Sequence, residues 1–224
     1  MLGCDLPLSM KSAILFGASG LVGSSLLTQL LEDPAYDKVI IVVRKLLPVQ
    51  HPKLKMLIGD YSSLPDLKPQ LRADEIFIAL GTTKKKTPDE SEYYRIDHDY
   101  PVLAAGIAKE NGARSVLLVS AIDANANSKI FYVRTKGQVE ADIIALGFEH
   151  TYIFRPSMLV GDRKENRPAE RFLIALFSIV NPLLAGSWKR YHSIHVKDLA
   201  AAMIHAANDP NVKVKRYHWQ DMSH

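Results

Sequence analysis

Tyr132 and Lys136 lie four residues apart in the run Tyr132-Val133-Arg134-Thr135-Lys136. On a helix that spacing puts both side chains on one face, about one turn apart. A lysine ammonium so placed lowers a phenol pKa through its charge and can also hold a nicotinamide ribose. The tyrosine then gives or takes a proton at a carbonyl or alcohol while a hydride moves. The same spacing fits a half-buried tyrosine beside a lysine that pairs with Glu140, one turn further on.

Chemistry of that kind needs a dinucleotide, and Gly17-Ala18-Ser19-Gly20-Leu21-Val22-Gly23 has the composition of a phosphate-binding turn. It follows the apolar run Ala13 to Phe16 and opens the amphipathic stretch Ser24 to Leu31. Gly17 suits a backbone conformation closed to other residues, Gly20 a close approach of pyrophosphate, and Gly23 tight packing of helix on strand. The start of the helix then turns free N–H groups toward the phosphates. An ordinary glycine-rich strand-to-helix turn would read the same way. Arg44, followed by Lys45, ends the next apolar run about twenty residues after Gly23. An acid there would bind the ribose hydroxyls of NAD, whereas Arg44 can pair with a 2′-phosphate, so NADP(H) is expected over NAD(H). A solvated basic pair in a turn is the competing reading. Asp60, after the third apolar run, fits equally an acceptor for the adenine amino group and a turn or helix cap.

The elements that must position these residues alternate along the chain. Strand-like runs at Lys38 to Val43, Leu54 to Ile58, Glu75 to Leu80, Ser115 to Val119 and His150 to Phe154 are interleaved with helical patterns at Glu92 to Asn111 and Ile130 to Leu146. That alternation predicts an α/β fold: one Rossmann-type, doubly wound parallel sheet with helices on both faces. Right-handed crossovers would bring the strand C-terminal ends to one edge, where Gly17 to Gly23, Arg44, Asp60, Gly81 and Ser120 all fall. No repeat or linker interrupts the chain, so residues 1–224 are read as a single domain, with a flexible tail over 1–10 and a small substrate-side cap over 156–194.

Composition narrows the classes further. The chain has 224 residues, 47% hydrophobic and 23% charged, with a net charge of +4, a mild excess that favours anionic ligands without arguing for nucleic acid. Cys4 is the single cysteine, which excludes a disulfide framework and suggests a reducing cytoplasm. The first ten residues lack the pattern of a signal peptide, and the longest apolar run, Phe172 to Val180, is too short to cross a bilayer. His192 and His195 flank a strand-like Ser193-Ile194 that would turn them to opposite faces, so no metal is expected. Asp198 reads as the cap of a late helix.

Several longer strings carry a resemblance. Leu80-Gly81-Thr82-Thr83, Asp97-His98-Asp99-Tyr100, Tyr132-x-x-x-Lys136-Gly137-Gln138-Val139-Glu140, Phe154-Arg155-Pro156, Gly161-Asp162-Arg163-x-Glu165-x-Arg167-Pro168 and His195-Val196-x-Asp198-Leu199-Ala200 join the glycine loop in resembling the short-chain dehydrogenase/reductase superfamily. The likeness is to its extended or atypical branch, in the group of the human Tat-interacting protein, and covers nearly the whole chain. It implies bound NADP(H), Tyr132 and Lys136 as the catalytic pair, the backbone of Arg155-Pro156-Ser157 beside the nicotinamide, and Leu80-Gly81-Thr82 beside the ribose. The family commonly places a carbonyl-polarising serine second in a pair at the end of the fifth strand, where this chain has Ser120 followed by Ala121. Ser120, or Ser128 in the following loop, is the remaining candidate.

The expected function is therefore an NADP(H)-dependent oxidoreductase of a small carbonyl or alcohol, monomeric or homodimeric. The competing function is an NADPH-binding regulatory protein with little turnover. A nucleotide-sugar epimerase or dehydratase shares the early motifs but would need more chain after Pro156. Lys84-Lys85-Lys86 is either a steering patch for an anionic substrate or a solvated loop. Phe172 to Leu184 is apolar enough to cover the nicotinamide side or form a dimer face, and Trp188 and Trp219 read as core residues.

Overall fold

The computed structural model describes residues 10–161 and 191–223. The chain runs β1 (Lys11–Phe16), α1 (Leu21–Glu32), β2 (Tyr36–Val43), β3 (Leu54–Ile58), α2 (Leu64–Leu67) and β4 (Glu75–Ile78). Next come α3 (Glu90–Tyr94), a π-helical turn (Arg95–Asp99), α4 (Tyr100–Glu110), β5 (Ser115–Val119), α5 (Phe131–Ala145) and β6 (His150–Phe154). After the two-residue strands β7 (Leu159–Val160) and β8 (Ile194–His195) it closes with α6 (Val196–Asn208), β9 (Val214–Tyr217) and α7 (Trp219–Met222).

Seven strands form one sheet in the order β3-β2-β1-β4-β5-β6-β9, with every neighbouring pair parallel. The central strands are covered on both faces, which is why β1, β4, β5 and the second half of β2 are buried along nearly their whole length. Along β1, Ala13 and Leu15 join the core on the α1 and α6 side, while Ile14 and Phe16 join the core shared with α4 and α5. Strand β2 splits the same way, with Val39, Ile41 and Val43 on one face and Ile40 and Val42 on the other. Strand order reverses between β1 and β4, and at that switch the diverging crossovers leave a crevice above the strand C-terminal ends.

Three expectations about elements are adjusted. Strand β4 stops at Ile78 rather than Leu80, and the chain then turns so that Gly81 lies against Asp97. The helical stretch from Glu92 to Asn111 is broken by the π turn, whose extra residue makes the successive Asp97 and His98 both buried. The seventh strand, β9, was not expected: it is a short edge strand whose residues alternate between exposed and half-buried. At the ends of the expected cap region, β7 and β8 form a separate parallel pair; residues 162–190, with the apolar Phe172 to Leu184 stretch, Trp188 and the string that follows Gly161, lie outside the described residues, as does most of the expected tail.

Candidate cofactor and catalytic site

The glycine loop is built by close packing at the switch. Gly17 sits at φ +89°, and a Cβ there would come 2.5 Å from the Ala79 carbonyl oxygen at the end of β4. Only glycine tolerates both conditions. A Cβ on Gly23 would overlap the Gly17 carbonyl, so the first turn of α1 presses directly on the loop. Gly20 donates its N–H to the Gly17 oxygen at 2.8 Å, and no side chain caps α1. Ala18 is buried beneath the loop and Ser19 and Gly20 are exposed above it. Leu21 is half-buried and Val22 buried, and both belong to the core under α1. This cradle of close backbone and uncapped helix N-terminus fits a pyrophosphate.

Arg44 and Lys45 follow the last residue of β2 and are exposed. Register pairs Phe16 with Val42, which brings Arg44 to the edge that holds the loop. Tyr100 marks the same corner: its ring meets Phe16 at 5.8 Å and Tyr61 at 5.9 Å, both edge-on. Its phenol is pushed up to about 12, by burial first and by Asp60 second, while Arg44 pulls the other way. Asp60 is engaged in its own turn, with Oδ1 accepting from the Ser62 hydroxyl at 2.7 Å and from the N–H of Ser62 and Ser63 at 3.0 and 3.1 Å. The Ser62 hydroxyl bond, above all, holds its carboxyl below the usual range.

Tyr132 and Lys136 open α5 as the spacing predicts, but the lysine has a partner that local sequence does not show. Lys136 Nζ lies 2.8 Å from Asp97 Oδ2, with side-chain exposures of 7% and 1%. The other oxygen, Asp97 Oδ1, accepts the N–H of Thr82 at 2.7 Å. A Cβ on Gly81 would sit 3.8 Å from Lys136 Nζ, so the Leu80-Gly81-Thr82 segment, Asp97 and Lys136 share one corner of the crevice. Burial pulls the Lys136 ammonium down, but Asp97 and the other anionic groups outweigh it and leave it above its ordinary value. Tyr132 is 43% exposed over the whole residue; desolvation pushes the phenol up, Lys136 pulls it down, Asp97 pushes it up again, and the net is upward. A lowered phenol, expected from Lys136 alone, is thus not what the full charge set gives. α5 can approach this corner because position 137 is glycine: a Cβ would strike the backbone of Asn125 and Ala126.

Glu140 does not pair with Lys136. Its carboxylate, 2% exposed, accepts the Ser120 hydroxyl at 2.5 Å and the Arg155 guanidinium at 2.9 Å through Nε and 2.5 Å through Nη2. Arg155 also donates to the Ala124 carbonyl at 3.1 Å, and the Pro156 carbonyl accepts Ile122 N–H at 2.9 Å. The Ser120 hydroxyl is therefore committed below the crevice, and Arg155 ties the loops after β5 and β6 together. Ser157 Oγ donates to the Tyr191 carbonyl at 2.7 Å. The Ser128 hydroxyl accepts Ile130 N–H at 3.1 Å, shaping the approach to α5.

Other sequence candidates take structural roles. Lys84 pairs with Glu90 at 2.6 Å and lies 5.6 Å over the Phe131 ring. His195, rather than Asp198, caps α6, its Nδ1 accepting Lys197 N–H at 3.2 Å. Trp219 donates to the Ser193 carbonyl at 3.0 Å and packs near His192. Among the described residues no group of three metal-ligating side chains converges, and no helix is long and apolar enough to cross a membrane.

Comparison with known proteins gives the family and supports the fold. Residues 17–210 match the family described as NAD(P)H-binding. Protein HTATIP2 of Rattus norvegicus is 30% identical over 210 residues, covering 92% of this chain and 85% of its own. Protein fmp52, mitochondrial, of Aspergillus fumigatus is 36% identical over 192 residues, with 80% and 81% covered, and the Candida glabrata protein of that name is 38% identical over 159 residues, with 71% and 68% covered. The names of the fungal relatives overturn the expected cytoplasmic location: a lone cysteine reports a reducing milieu and does not choose among compartments that share one. The Bordetella bronchiseptica enzyme WbmH, solved with NAD+, superimposes with a TM-score of 0.70 at 20% identity, over 94% of this chain and 75% of that one, which shows a shared fold. The chain belongs to the NAD(P)H-binding family, in the atypical short-chain dehydrogenase/reductase group that includes HTATIP2 and FMP52.

Proposed function

We propose that this protein is an NADP(H)-dependent oxidoreductase of a small carbonyl or alcohol, with Tyr132 as the proton-transfer group. The observation that carries the reading is the approach of Lys136, one turn after Tyr132 on α5, to Gly81 in the turn after β4, beside the glycine cradle. In this reading Gly17 to Gly23 hold the pyrophosphate, Leu80 to Thr82 border the ribose, and the Arg155-Pro156-Ser157 backbone borders the nicotinamide. Arg44, with Lys45 beside it, takes the 2′-phosphate, and the free oxygen of Asp60 accepts from the adenine. When bound, the cofactor supplies or accepts a hydride. The Tyr132 hydroxyl gives its proton to the substrate oxygen in reduction and takes it back in oxidation, and Lys136 orients that hydroxyl and the ribose.

A second reading, an NADPH-binding regulatory protein with little turnover, is favoured by one observation: the Ser120 hydroxyl donates to Glu140 and so does not polarise a carbonyl. Calorimetric titration with NADPH and NADH, repeated on Arg44→Ala, tests the cofactor assignment. Tighter NADPH binding, with the preference reduced about tenfold in the variant, is expected for the loss of one exposed charge-assisted contact. Binding of neither nucleotide would sink both readings. Tyr132→Phe then separates them: turnover lost with NADPH affinity kept supports the oxidoreductase, and no turnover of any carbonyl by wild type alongside tight NADPH binding supports the regulator.

A further inference from the structure

The loops that follow β5 and β6 meet on the side of the switch away from Arg44, and the residues that lead into β8 close on both. Asp123, in the loop after β5, holds φ +58°, and among the described residues no other residue except glycine has a positive φ. Glycine would hold that conformation more easily; what aspartate adds is a tertiary contact. Its Oδ2 accepts the Tyr191 hydroxyl at 3.0 Å, from 68 residues away in sequence. The Tyr191 carbonyl in turn accepts the Ser157 hydroxyl at 2.7 Å. Beside Ser157, the Pro156 carbonyl accepts the N–H of Ile122, the neighbour of Asp123, at 2.9 Å. The three bonds close a ring through Ile122, Asp123, Tyr191, Ser157 and Pro156. Beyond the ring, Ile194 N–H donates to the Met158 carbonyl at 2.9 Å and Ile194 pairs with Leu159, so the entry to β8 stays anchored if the ring is opened.

We propose that Tyr191 and Asp123 are positioning residues for the nicotinamide half of the cofactor: Asp123 fixes the Tyr191 side chain, and Tyr191 thereby holds Ser157 and the Arg155-Pro156-Ser157 backbone in place. This rests on the reading of the crevice as a dinucleotide site. A single exposed hydrogen bond stabilises little by itself. Here it is the link that turns two separate pins on one short segment, Ile122 on Pro156 and Tyr191 on Ser157, into one closed frame. The glycine loop follows β1 and Arg44 follows β2, whereas β5 and β6 stand two and three strands from β1 on the other side of it. Opening the frame therefore acts on the nicotinamide end and leaves the pyrophosphate and 2′-phosphate ends as they were.

The test is calorimetric titration of the full chain with NADPH and, separately, with 2′-phospho-ADP-ribose, which keeps both phosphate ends and lacks the nicotinamide. Tyr191→Phe removes the hydroxyl with little change of shape. Asp123→Gly removes the carboxylate and takes φ +58° without strain, so the backbone at that position is undisturbed. Each variant should bind NADPH about fivefold more weakly, the scale of one hydrogen bond, and the fragment within about twofold of wild type. The double variant should lose no more than the weaker-binding single variant, because the same contact is removed once. Fragment affinity that falls as far as NADPH affinity, NADPH affinity unchanged in both single variants, or losses that multiply in the double variant would each overturn the proposal. Failure of wild type to bind either ligand would sink the cofactor reading and this proposal together, whereas equal NADPH binding by wild type and all variants would sink this proposal alone.

Discussion

Glu140 offers the sharpest test of how the crevice is held. Replacing it by alanine strands the Arg155 guanidinium, whose side chain is 17% exposed, and leaves the Ser120 hydroxyl, in a residue 5% exposed, without its acceptor. The third donor, Arg216 at 3.4 Å with a side chain 45% exposed, turns to water at little cost. Breaking a buried ion pair from one side costs about 3–5 kcal/mol, because the surviving charge stays desolvated. For a chain of this size that lowers Tm by roughly 6–20 °C. The assay is urea unfolding followed by circular dichroism, comparing midpoints at equal slope. Alanine at both 140 and 155 should cost less than the two single variants together, with a coupling of about 2 kcal/mol. A Glu140→Ala loss below about 1 kcal/mol, the range of exposed pairs, or strict additivity in the double variant, would refute the view that this carboxylate joins β5, β6 and α5.

Three further outcomes follow from the geometry. Gly17→Ala meets both the φ of +89° and the 2.5 Å approach to Ala79, so it should cost more than the roughly 1 kcal/mol of backbone strain alone and lower NADPH affinity at least about tenfold by calorimetry. Tyr36→Phe removes the hydroxyl that donates to buried Glu75 Oε2 at 2.5 Å, and a loss of about 1–3 kcal/mol in urea is expected. Glu75 itself is raised from 4.5, by burial first, against the pull of Lys11 and Tyr36. Its contribution is then whole below 4.5 and is lost as pH rises through the higher folded value; the stability difference between wild type and Glu75→Gln should fall across that window, and a flat difference from pH 4 to 8 would contradict the assignment.

Much of this architecture was legible because it is written in local pattern. Strands β5 and β6 were expected at the residues they occupy because a strand covered on both faces carries little but apolar side chains, and β3 because its mostly apolar residues stop at Gly59-Asp60. The glycine loop was legible for a similar reason: Gly17 and Gly23 answer backbone contacts that no other residue survives. Strand β9 escaped notice because a half-exposed edge strand of four residues has little apolar signal. The π turn escaped because an inserted residue changes the face of its neighbours without changing composition.

The two carboxylates that organise the crevice were hidden for another reason. Asp97 stood within a recognised string, and Glu140 lies one turn from Lys136, so sequence spacing favours the local Lys136–Glu140 pair. The fold chooses otherwise, because Asp97 arrives from the π turn with one oxygen on Thr82 N–H and the other on Lys136 Nζ, while Arg155 follows β6 with a planar fork that matches Glu140. Had Glu140 taken the lysine, Arg155 would be left buried without an anion and Asp97 without a cation. The exchanged pairing is the arrangement that satisfies all four charges, and it also separates the duties of α5: its first turns serve the crevice through Tyr132 and Lys136, and the next turn anchors the strands beneath through Glu140.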